Sequence, residues 1–108
     1  MEIKYHPIIK DPHLYEISDF HYHNDLSDCR KSYIDLSLVK GLKKRILRFI
    51  EPKDLSIEKG FPFSTGGMYI EDISSHGLER INIQVDDFEP THGSIRFLAY
   101  KVIDLELG

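Results

Sequence analysis

One cysteine, Cys29, excludes any intrachain disulfide, and no stretch comes near the roughly 18 apolar residues that a membrane-spanning helix requires. Residues 1–7 (MEIKYHP) lack the basic segment and the following apolar stretch of a signal peptide. Together these absences give the expectation of a soluble protein of the reducing cytoplasm, with no membrane association. Positive charge is also in deficit. Fourteen Lys and Arg stand against eighteen Asp and Glu, a formal charge of −4, which argues against a general nucleic-acid binder and makes a basic protein partner the easier match. There is no fixed-period repeat, no low-complexity tract and no heptad pattern, and helical periodicity is nearly missing from the second half of the chain.

Short alternating apolar runs between turn signals fill that second half instead. With 108 residues, 41% hydrophobic content, six Phe and six Tyr, the chain suits one domain with a core that needs neither metal nor disulfide staples. The expected fold is all-β, an antiparallel sandwich or partly open barrel of six to eight strands with at most one short helix near residues 24–32. It is read as a single β domain over 1–108, in which 1–12 form an N-terminal arm or edge strand ending near Asp11-Pro12.

The run HLYEISDFHYH at 13–23 reads as a strand bent at Ser18-Asp19. The segment from Tyr33 to Ile50 supports two readings. Val39, Leu42, Ile46 and Phe49 have the three-and-four spacing of an amphipathic helix, whereas Ile34, Leu36 and Leu38 alternate with polar neighbours and Lys40-Gly41 sits where a hairpin should turn. Because Gly41 would cost a helix about 1 kcal/mol, the expectation is a hairpin, 33–39 paired with 44–50. Further strands are expected over 54–58, 68–73 and 80–88. Ser94 to Leu105 is expected to run as one final strand, apolar on both parities and therefore central or at a subunit contact. That two-sided run is the sequence argument for a homodimer. Ile83, Val85, Ile95, Phe97 and Leu47 are the expected core.

Four constellations could carry chemistry. His21 and His23 share a strand face about 6–7 Å apart, close enough for one divalent cation, with Asp19, Asp25 and His13 as further candidate ligands. No third ligand stands at a recognisable spacing, so the two are read as surface histidines and no metal or cofactor is implied. The turn around Asp86, Asp87, Glu89 and His92 gathers carboxylates and an imidazole that could serve acid/base work beside a pocket, although carboxylates also cluster at strand ends simply to stay solvated. Ser64-Thr65-Gly66-Gly67 resembles an anion-cradling turn but lacks the lysine and following helix of a phosphate loop. Lys40, Lys43, Lys44, Arg45 and Arg48 concentrate positive charge and read as decoration of a solvated edge, and Cys29 has no partner base that would make it a nucleophile.

The blocks LRFIEPKDLSIEKGFPFSTGGMYIEDIS at 47–74 and INIQVDDFEPTHGSIRFLAYKVIDLEL at 81–107 resemble small uncharacterised bacterial β domains, some of which sit beside polymorphic toxins as immunity proteins. The resemblance implies a β-rich fold and a binding role, and assigns no functional residue. The expected function is thus non-catalytic binding, immunity-like, with Asp87, Glu89, His92, Ser64 and Thr65 as candidate binding residues. The alternative is a small metal-dependent enzyme or ligand binder that uses His21, His23 and the 86–92 turn.

Overall fold

The computed structural model describes residues 3–61, 67–88 and 93–106, and they form an all-β sandwich. Eight strands follow in chain order: β1 (Glu16–His23), β2 (Tyr33–Lys40), β3 (Lys43–Ile50), β4 (Lys53–Ile57), β5 (Met68–Asp72), β6 (Ile83–Asp87), β7 (Ile95–Ala99) and β8 (Lys101–Asp104). The first sheet has the order β1-β2-β3-β8 and the second β4-β7-β6-β5, and every pairing is antiparallel. The sheets do not close into a barrel. Among the described residues the helical segments are short 3-10 turns, one of them at Cys29–Lys31 within the segment expected to hold at most one short helix.

The ambiguous segment is a hairpin. Tyr33 pairs with Ile50 and Val39 with Lys44, so Ile34, Leu36, Leu38, Leu47 and Phe49 all point inward and are fully buried. Gly41 turns it at φ 61°, the first position of a two-residue loop, where glycine is favoured because it has no Cβ to crowd the backbone. A Cβ added there meets nothing within 4 Å, so only the backbone conformation opposes it. Gly41→Ala is therefore expected to destabilise by about 1 kcal/mol with an unchanged denaturant m-value, measured by urea unfolding. A gain in stability would contradict the turn.

In β1 the expected bend is a register shift between Ile17 and Asp19, and His13 falls in the 3-10 turn Pro12–Leu14 rather than in the strand. The final run is the main correction. Ser94 to Leu105 is not one strand: it breaks at Tyr100, with β7 in the second sheet and β8 in the first. The preceding ribbon breaks in step, because β3 lies in the first sheet, β4 in the second, and the chain crosses at Glu51-Pro52. Since β3 pairs with β8 and β4 with β7, residues 43–57 and 95–104 form one long antiparallel ribbon folded over at a corner, and this corner joins the sheets. Buried positions accordingly change parity, from Ile95, Phe97 and Ala99 to Val102. The two halves thus face the interior from opposite sheets on opposite parities, while Leu98 stays half-buried on the outer face and Ile103 is exposed.

At the corner the Tyr100 N–H donates to the Ile50 carbonyl (2.8 Å) and the Asn82 side chain donates to the Tyr100 carbonyl (3.0 Å). Glu51 and Arg80 both adopt φ 56°, a left-handed backbone that costs a non-glycine residue roughly 1–2 kcal/mol. A side-chain pair holds them there. Arg80 Nε donates to both carboxylate oxygens of the buried Glu51, at 2.8 and 3.1 Å, and its guanidinium lies 4.1 Å from the centroid of the Tyr100 ring. Across the core, Phe49 and Phe97 meet edge to face, with centroids 4.9 Å apart, and the expected core residues Ile83, Val85, Ile95, Phe97 and Leu47 are all buried.

Candidate functional site

An N-terminal arm builds a concavity against β5. Lys4 to His6 run antiparallel beside β5: the His6 N–H donates to the Ile70 carbonyl (2.8 Å) and the Asp72 N–H to the Lys4 carbonyl (2.7 Å). The arm then leaves the sheet at Pro7, buries Ile9 in the core and returns through the turn at Pro12–Leu14, which packs against β5. Between arm, turn and strand lies a groove of about 370 Å³ walled by Tyr5, Pro7, Ile9, Met68, Tyr69 and Phe88. Its size is that of a small ligand or a single bound side chain.

Three aromatic rings dominate the wall. Tyr69 and Phe88 lie 4.4 Å apart between centroids, and Tyr5 meets each of them edge to face at 6.5 Å. Tyr5 and Phe88 are more than half exposed, an unusual state for rings already in mutual contact. Tyr69 is opposite Asp86 in the register, and Glu71 shares that face. Burial pushes the Tyr69 hydroxyl above the ordinary tyrosine range, the charges of Asp86 and Glu71 push it the same way, and Arg96, paired to Asp86 at 3.3 Å, opposes them. Burial likewise lowers His6 against an upward pull from Asp72. His6 Nδ1 accepts from the Ile8 N–H at 3.1 Å, which leaves the proton of the neutral ring on Nε2. Asp72 accepts from the Ser74 hydroxyl and N–H and sits 3.5 Å from Lys4, and these bonds, the hydroxyl first, hold its carboxyl down at about 2.

The second concavity, about 500 Å³, is a depression at the second sheet, lined by Asp54, Ser56, His76, Gln84, Arg96 and Leu98 among others, with Phe97 at its wall and no cluster of exposed aromatic rings.

His21 and His23 stand elsewhere, exposed on the outer face of the first sheet beside Tyr33, with ring centroids 6.2 and 5.0 Å from it. Arg48 covers the same ring at 3.9 Å and binds Asp35 with two 2.8 Å bonds, so the carboxylate opposite His21 is already engaged. Asp25 caps the following turn through Ser27 and Asp28. Among the described residues no three His, Cys, Asp or Glu side chains gather as a metal site would require. Asp87 lies in the second sheet opposite Met68, and neither concavity is lined by Asp87, His21 or His23. Ser64, Thr65, Glu89 and His92 fall outside the described residues. The residues that flank them do meet: the Phe88 N–H donates to the Gly67 carbonyl and the Gly93 N–H to the Lys59 carbonyl, each at 2.9 Å.

Of the basic concentration, Lys40, Lys43 and Lys44 are exposed at the hairpin end, and the two arginines are paired within the fold. Arg45 bonds Asp104 and the Ile8 carbonyl, Arg48 bonds Asp35, and Lys40 lies over the Tyr15 ring. Sequence patterning alone does not single out Tyr5, Tyr69 and Phe88 as a group. The available signal is parity, since Tyr69 falls on the wet side of its strand and Phe88 just beyond the end of another. No family model, no curated protein and no solved structure matches the chain.

Proposed function

We propose that this chain is a non-catalytic binding domain whose aromatic groove receives a cationic side chain, arginine or lysine, from a basic protein partner. The observation that carries this reading is the meeting of three aromatic rings, two of them exposed, beside the carboxylates of Glu71 and Asp86. A cation over such a ring gains roughly 0.5–2 kcal/mol, and the Glu71 carboxylate on the Tyr69 face adds to it, Asp86 being already paired with Arg96. Arg96 on Asp86 is an internal instance of a guanidinium accepted at this face. The overall charge of −4 favours the same class of partner. An immunity-like role, implied by the sequence resemblance, would be one form of this activity, and an adjacent reading frame for a toxin or nuclease would support it.

Binding of a short arginine-containing peptide, followed by tyrosine fluorescence, tests the proposal. It should weaken about tenfold in Phe88→Ala and Tyr69→Leu and more when the arginine is replaced by glutamine. Equal binding of the glutamine peptide would refute a cation site. The alternative of a metal-dependent enzyme needs His21, His23 and the 86–92 turn around one pocket; His21 and His23 lie on β1 of the first sheet and Asp87 on β6 of the second, and neither concavity described above is lined by any of the three. Among the described residues no helix is long and apolar enough to cross a membrane. Cytoplasmic location and self-association belong to the same proposal; of the final run, Ile95, Phe97, Ala99 and Val102 are buried within the chain, while Ile103 and Leu105 are exposed.

A further inference from the structure

The four sheet edges are treated unequally. β8 is only four residues long, and β4 carries Lys53, a register shift and a left-handed Asp54. The Lys4–His6 arm covers β5. These are the usual devices that keep an edge from pairing with another chain. β1 has a bulge in its first half, but from Asp19 to His23 it is regular, pairs only with β2, and holds no Lys, Arg or Pro. Among the described residues no element hydrogen-bonds to the outer side of this stretch. Tyr22 is 38% exposed on it, and Asp19, His21 and His23 are exposed too.

The stretch is also complementary to itself. In an antiparallel two-fold pairing centred on His21, Asp19 stands opposite the partner's His23 and Phe20 opposite the partner's Tyr22, each pair occurring twice. Directly opposed residues share a sheet face, so the carboxylate–imidazole pairs form on the outer face beside Tyr33 and the aromatic pairs on the inner one. Phe20 already packs edge to face on Phe61 at 5.6 Å, and the partner's Tyr22 would extend that cluster. We infer that two copies of this chain associate through Asp19–His23 of β1, joining their first sheets into one eight-stranded sheet. This rests on the proposed self-association and gives it a surface; it is independent of the groove. Five paired residues a side make a small interface, of the class that dissociates in the micromolar range or above.

Sedimentation over a hundredfold concentration range, with circular dichroism to establish that each variant is folded, tests the inference. The wild type should show a monomer–dimer equilibrium. His23→Asp, which sets two carboxylates against two others, and Tyr22→Lys should each raise the dissociation constant at least tenfold. The exchange Asp19→His with His23→Asp should restore it to within about threefold of wild type. Dimers insensitive to His23→Asp and Tyr22→Lys would overturn the β1 surface while leaving self-association intact. Loss without rescue by the exchange would overturn the register, and a wild type monomeric throughout would overturn self-association itself.

Discussion

Phe97→Ala is expected to cost roughly 3–5 kcal/mol, most of the stability of an ordinary small domain. The side chain is 2% exposed on the inner face of the second sheet, and its ring meets Phe49 of the first sheet edge to face. Truncation opens a cavity at the seam between sheets, where neither can shift without disturbing the ribbon that both share. Phe49→Ala should cost a similar amount, and a double-mutant cycle should show coupling of about 0.5–1.5 kcal/mol from the ring pair. Urea unfolding measures all three. A loss below about 1 kcal/mol for Phe97→Ala would mean that the seam is not where the core sits.

The second large effect lies at the corner. Glu51→Gln should cost about 1.5–3 kcal/mol, the range for hydrogen bonds to a charged group, because it removes the anion that holds Arg80 while both residues keep their left-handed backbone. Arg80→Met should be worse than Glu51→Gln combined with Arg80→Met, since the single change strands a carboxylate whose side chain is 4% exposed and the double change does not. If the single and double variants unfold at the same urea concentration, the pair contributes charge but no constraint.

Much of this fold was legible in the chain because alternation reports directly which face of a strand is dry. Ile34, Leu36 and Leu38 against Asp35 and Ser37, with Gly41 at the turn, suffice to choose the hairpin over the helix. The break at Tyr100 was not legible. Alternation carries no mark where a strand changes sheets: Leu98 and Tyr100 look like the second face of one strand, and only pairing with a distant ribbon that bends at Glu51-Pro52 distinguishes the cases. The groove was hidden for a related reason. Tyr5, Tyr69 and Phe88 are distant in sequence, and the arm brings them together through two backbone hydrogen bonds that no local pattern announces. His21 and His23 were correctly placed on one strand face, but spacing along a strand says nothing of what faces it, and what faces it is Tyr33.

The bent ribbon also bears on the order in which the chain can assemble. The β2–β3 hairpin closes across a two-residue loop, whereas pairing Ile50 with Lys101 closes one of about fifty residues, at an added entropic cost of roughly 2 kcal/mol relative to a four-residue loop. Local hairpins can therefore form early and at little cost, but neither sheet is complete until the distant halves of the ribbon meet. The two sheets consequently reach their final form in the same event, and a chain that has made its hairpins but not its corner still exposes Leu47, Phe49 and Phe97 to solvent.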